Sequence, residues 1–92
     1  MKWLEIIKLR TAGNRDGLLD EFLRSLVESG QSRELVEMKT YRHAALENDV
    51  SVHLCWESDR PEQNGTELGL HLVQALKEFG LIDHSIWIEE QK

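Results

Sequence analysis

Val50-Ser51-Val52-His53-Leu54-Cys55-Trp56-Glu57 places a large apolar side chain at every second position, and Ile82-Asp83-His84-Ser85-Ile86-Trp87-Ile88 does so again. Between the two, Leu68, Leu72, Val73, Ala75, Leu76 and Phe79 recur at helical spacing in a run that ends at Gly80. A period of two marks a strand whose faces differ, and a period near 3.6 marks a helix with one apolar stripe. The second half of the chain therefore reads strand, helix, strand. The first half repeats the plan, with a strand over residues 3–10, a helix ending at Gly30 and a strand over residues 35–45. The order is βαββαβ.

Residues 3–10 carry apolar side chains on both faces, as expected of a central strand covered on each side. A polar loop over residues 11–16 follows, with Asn14 placed to cap the next helix. That helix presents Leu18, Leu19, Phe22, Leu23, Leu26 and Val27 as a double stripe, leaving Asp20, Glu21, Arg24 and Glu28 for water. Gly30 suits a C-terminal cap because it tolerates positive φ. The second and third strands are joined through Glu47, Asn48 and Asp49. A three-residue loop sets Leu46 opposite Val50 and gathers Val36, Met38 and Ala44 on one apolar face, with Arg42 unexplained among them. A two-residue loop mixes Glu37 and Lys39 into that face instead, since a one-residue slip reverses every side chain. The three-residue loop is preferred. Residues 59–65 form a polar connection, after which Asn64 with Glu67, or else Thr66, starts the second helix. Gly69 inside that helix costs about 1 kcal/mol against Ala, which implies close packing on another backbone.

Ninety-two residues make a single domain, 1–92, of a size that buries roughly 60–65% of its unfolded surface. A net charge of −6 with no Lys/Arg cluster argues against a nucleic-acid partner. Apolar runs of three or four residues exclude a membrane-spanning segment of the usual ~20 residues, and Met1-Lys2-Trp3 opens no secretory signal. The single Cys55 excludes an intrachain disulfide and a cysteine zinc finger. A cytoplasmic location is expected.

Two helices and four strands in this order predict an α+β, ferredoxin-like domain, a four-stranded antiparallel sheet with both helices on one face. Right-handed crossovers enforce that one-sidedness. The opposite face is then bare; the preferred register puts Tyr41, His43, His53 and Cys55 on it, and the alternation of the fourth strand adds Trp87. An aromatic face is costly to leave wet. A homodimer through this face is the expected cover.

The length, the element order, Trp56 at the end of the third strand and the Leu76-Lys77-Glu78-Phe79-Gly80 exit into the last strand resemble the dimeric α/β-barrel superfamily. Its members include antibiotic-biosynthesis-type monooxygenases and stress-responsive barrels. The resemblance implies two sheets packed face to face as a dimeric α/β barrel, with a substrate cleft between sheet and helices. Haem-degrading members carry a Trp after strand three and a His on the second helix. Trp56 and His71 are the matching positions, whereas the Asn those enzymes use in the first strand has no counterpart in residues 3–10. A local resemblance covers Asn14-Arg15-Asp16-Gly17-Leu18-Leu19, which is similar to the ligand loop of ACT domains. There Asp16 replaces the family's Pro, and Asn14 its usual Asp.

Several residues could carry chemistry. His71, at the edge of its helix's apolar arc, is the candidate for proton transfer and Trp56 for ligand stacking; each is otherwise a boundary or core side chain. His43 faces His53 in the preferred register, and with Cys55 forms a cross-strand group that reads as packing, not as a metal site. Asn14, Arg15 and Gly17 form an anion-suited turn or a solvated one. No motif calls for a cofactor. The expected function is binding of a small aromatic or hydrophobic molecule, or cofactor-free monooxygenase activity, in the cleft near Trp56 and His71. The alternative is a non-catalytic, ACT-like amino-acid sensor at Asn14 to Gly17, or an assembly module.

Overall fold

A computed structural model describes residues 1–11, 17–29 and 34–90. The elements run β1 (Lys2–Thr11), α1 (Gly17–Ser29), β2 (Leu35–Arg42), β3 (Asp49–Glu57), α2 (Glu67–Leu76) and β4 (Gly80–Ile88). All strand neighbours are antiparallel, in the order β2-β3-β1-β4. The fold is ferredoxin-like, with both helices on one face. None of the described helices is long and apolar enough to cross a membrane.

The central position of β1 follows from its two-sided apolar pattern. Trp3, Ile7 and Leu9 are buried under the helices, while Leu4 and Ile6 are half-buried on the other face. From β3, Val50, Val52, Leu54 and Trp56 join the helix-side core, which Leu19 and Leu23 of α1 and Leu72 and Leu76 of α2 close. The alternation of β3 is thus a direct image of its burial.

The β2–β3 connection departs from expectation. Arg42, not Leu46, faces Val50, a shift of four residues along β2. The strand stops early because the His43 ring folds back and its Nδ1 accepts the backbone N–H groups of Ala45 and Leu46, both at 3.0 Å. Asp49 N–H to the Leu46 carbonyl and His43 N–H to the Asp49 carbonyl finish the turn. Residues 43–48 are therefore loop, and Lys39 instead of His43 lies across from His53. Because the shift is even, Met38 and Arg42 keep the expected face. Arg42 lies exposed at the end of an edge strand, which resolves its place among apolar neighbours. A β-bulge between Leu35 and Glu37 turns Val36 out to solvent, contrary to the expected inward position.

Two further expectations change. Leu18, in the first turn of α1, is exposed and outside the apolar stripe. The second helix ends at Leu76, with Lys77 as its C-cap, so Gly80 opens β4 and does not close the helix. Gly80 pairs with Thr11, and a Cβ there would lie 2.0 Å from the Arg10 carbonyl oxygen, so the close approach of β4 to β1 requires the glycine. Asn14 and Gly30 lie outside the described residues.

Leu54 is fully buried and Leu18 largely exposed. Leu54→Ala is expected to cost about 2–5 kcal/mol, and Leu18→Ala no more than about 0.5 kcal/mol. Urea unfolding of the two variants checks this assignment of the α1 and β3 faces.

Candidate functional site: a buried carboxylate between two clefts

The inward alternation of β1 runs Trp3, Glu5, Ile7, Leu9, which drives a carboxylate into the core. Glu5 is 0% exposed. An unpaired charge there would cost several kcal/mol, so its partners decide whether the strand can form. There are four donors. Oε1 accepts from the Trp56 indole Nε1 at 3.2 Å and the Thr66 hydroxyl at 2.6 Å. Oε2 accepts the Thr66 backbone N–H at 3.0 Å and faces Nε2 of His84 at 2.7 Å.

Each donor comes from a different place in the chain for a local reason. Trp56 ends β3 on the inward face, paired with Trp3, and the two indoles stack with centroids 5.8 Å apart. Thr66 is the N-cap of α2, where its Oγ1 accepts from Gly69 N–H at 2.9 Å while donating to Glu5. The carboxylate thus lies against the first turn of a helix, where exposed N–H groups favour negative charge. His84 follows the inward alternation of β4. Two glycines clear the space: a Cβ on Gly69 would fall 1.9 Å from Glu5 Oε2, and one on Gly65 would fall 2.4 Å from His84 Cε1. Gly65 also has φ +100°. Gly69 is therefore shaped to a side-chain carboxylate, not to another backbone as its helix position suggested. Among the described residues no buried side-chain nitrogen or oxygen lacks a partner.

Two clefts open on this cluster. One, of about 860 Å³, is lined by Trp3, Trp56, Arg60, Thr66, Leu68 and His71 among others. The other, of about 350 Å³, is lined by Gln63, Asn64, His84, Ser85, Ile86 and Ile88. Trp3 Nε1 donates to Ser58 Oγ at 2.9 Å, and Ser58 Oγ to the Arg60 carbonyl at 2.8 Å, which ties the rim of the larger cleft to β1.

The structure brings Trp56 and His71 to the same cleft. Trp56 is only 4% exposed, with its N–H held by Glu5, so it forms the cleft's floor together with Trp3. His71 is an exposed wall residue of α2. Tyr41, His53, Cys55 and Trp87 share the open sheet face, with the Tyr41 and His53 rings 4.5 Å apart. His43, just past the end of β2, organises the hairpin loop and lines an open pocket with Tyr41, Ser51 and Leu81. Burial, and then the charge of Lys8, hold His53 below the ordinary histidine range. Burial and the nearby Glu37 push the Cys55 thiol up against the opposing effect of Lys39, which keeps it a thiol, not a nucleophilic thiolate. Gly17 is exposed at the start of α1, with nothing within 4 Å of where a Cβ would be. Asn14 and Arg15 lie outside the described residues.

Glu5 and His84 are not among the residues singled out in the sequence, and Thr66 is singled out only as a helix cap. The available signal was a Glu at an inward position between Trp3 and Ile7. A chemically matched His at an inward position of the last strand was the second half of it.

No protein-family model matches the chain, and no curated protein does. Among solved structures, Rv0793 from Mycobacterium tuberculosis is similar over 100% of this chain and 98% of its own, with a TM-score of 0.72 and 11% identity. At that identity the likeness is one of fold. It agrees with the ferredoxin-like arrangement of four antiparallel strands and two helices.

Glu5→Gln puts an amide NH₂ among four donors. It is expected to destabilise the protein by about 3 kcal/mol, as when one member of a buried pair is removed. Gly69→Ala, which forces the carboxylate aside, is expected to cost about 1–3 kcal/mol. Denaturant midpoints for both variants, read against wild type, check the cluster.

Proposed function

We propose that this chain acts as a homodimer of the dimeric α/β-barrel type, closing its open sheet face against a second copy. In this reading it binds a small aromatic or hydrophobic molecule in the cleft beside His71. The observation that carries the binding role is the cleft itself. Its volume of about 860 Å³ falls in the usual range for small-molecule sites, roughly 300–1,000 Å³. A stacked indole pair floors it, Leu68 adds apolar surface, and His71 supplies a proton donor or acceptor at the wall. Support for pairing comes from the open face, where Tyr41, Leu81 and Trp87 are exposed beside the half-buried Leu4 and Ile6. Trp87 at 58% and Leu81 at 75% exposure are large apolar groups left in water unless a partner covers them. The resemblance to antibiotic-biosynthesis-type monooxygenases makes cofactor-free oxidation of the bound molecule the reaction class to assay first.

A thermal-shift screen with haem and with an aromatic polyketide tests the binding role. A ligand present at a hundredfold its Kd adds about 2.7 kcal/mol, a rise of roughly 10–20 °C for a domain of this size. The shift is expected to shrink in His71→Ala. No shift with any aromatic probe would sink the reading.

Light scattering at micromolar concentration is expected to give a dimer for wild type and a monomer for Trp87→Lys, and a wild-type monomer would overturn the pairing. The dimer is also expected to weaken in acid. His53 holds its proton less tightly in the fold than in the unfolded chain, so stability from its neutral form is complete above the ordinary value of 6.5 and is lost as pH falls through its lowered value. Protonation would add charge on the open face beside Lys8, with Lys39 directly across. Light scattering across that pH range reads the effect.

A further inference from the structure

The smaller cleft has a feature the larger one lacks. His84 faces Glu5 through Nε2, and its Nδ1 makes no hydrogen bond to the described residues. Since no buried side-chain nitrogen or oxygen among those residues lacks a partner, Nδ1 is open to solvent. The side chain of His84 is 17% exposed, and His84 lines the cleft of about 350 Å³ with Gln63, Asn64, Ile86 and Ile88.

We propose that Glu5 and His84 form a carboxylate–imidazole dyad in which Nδ1 of His84 is a general base. Its substrate would be a small, largely apolar molecule with a mobile proton, of the enol or phenol class, held in this cleft. The proton position follows from the partners of the carboxylate. Oε1 already accepts from Trp56 and Thr66, and Oε2 from the Thr66 backbone. The short contact to His84 is then best filled by Nε2–H donating to Oε2. In the neutral ring that leaves the lone pair on Nδ1. Gly65 secures the ring's position, because any Cβ there would collide with Cε1, the carbon between the two nitrogens.

The step balances without a further reagent. A proton passes from a C–H or O–H of the bound molecule to Nδ1, and the molecule keeps the electron pair as an enolate or phenolate. The imidazolium so formed still donates Nε2–H to Glu5, whose buried charge compensates it. His84 is the catalytic residue and Glu5 the positioning residue. Ile86 and Ile88 supply apolar contact, and the amides of Gln63 and Asn64 offer donors for the developing oxyanion.

The test uses 5-nitrobenzisoxazole, a small aromatic whose ring C–H proton is removed by a base as its N–O bond breaks, giving a nitrile and a coloured phenolate. Wild-type protein is expected to open the ring about a hundredfold faster than His84→Ala. Glu5→Gln is expected to lower kcat with little change in KM, a split that a purely structural role in stability would not produce. Equal rates for wild type and His84→Ala would overturn the proposal. Because Glu5→Gln also loosens the fold, ¹⁵N-histidine NMR of the wild-type protein gives a second reading. The Nε2–H tautomer of neutral His84 is expected, and the Nδ1–H tautomer would overturn the dyad.

Discussion

A carboxylate without exposure to water holds this fold together at the point where its halves meet. Glu5 lies on the central strand, and its four hydrogen bonds reach β3 through Trp56, the start of α2 through Thr66 and β4 through His84. Taking the charge out of water is unfavourable by several kcal/mol, and only a full set of donors offsets it. The cluster therefore specifies arrangement more than it adds net stability. A shift of α2 along the sheet, or a slip of β4 against β1, would leave a buried charge with a missing partner, and the penalty for that exceeds the gain from any one hydrogen bond.

The same constraint explains features that look unrelated along the chain. Gly65 and Gly69 are spaced so that one clears the His84 ring and the other the Glu5 carboxylate. Thr66 between them serves as helix cap and as two of the four donors. The Trp3–Trp56 stack covers the end of the cluster and forms the floor of the larger cleft. Each cleft thus shares part of its wall with the cluster, the larger through Trp56 and Thr66 and the smaller through His84. Among the described residues the opposite sheet face has no such device. Its polar contacts are surface pairs such as Arg10 with Asp49 and Lys39 with Glu37, and exposed pairs of this kind contribute little. Its aromatics are therefore available to a partner.

Much of this was legible in the residues, and the limits have physical causes. The alternation of Val50 to Glu57 gave the inward set of β3 correctly, because period-two burial is written directly into such a strand. Asn64 and Thr66 are both legible as caps for α2, and the fold takes Thr66, whose hydroxyl accepts from Gly69 N–H while donating to Glu5. The hairpin was misread because the turn is closed by a His43 side chain accepting backbone N–H groups, an interaction with no periodic signature. His71 and Trp56 do meet at one cleft, yet the most strongly connected polar group, Glu5 with His84, spans 79 positions in sequence and shows no local motif.

By itself, the sequence determined the element order, the inward face of β3, the central place of β1, and a one-sided sheet with a bare apolar surface. Hydrophobic period and chain handedness are local properties that each segment carries alone. Only the tertiary structure decided what the inward Glu5 is for. A charge in a strand is a defect or a site according to which donors arrive around it, and those donors come from three other elements, brought together only once the sheet has closed.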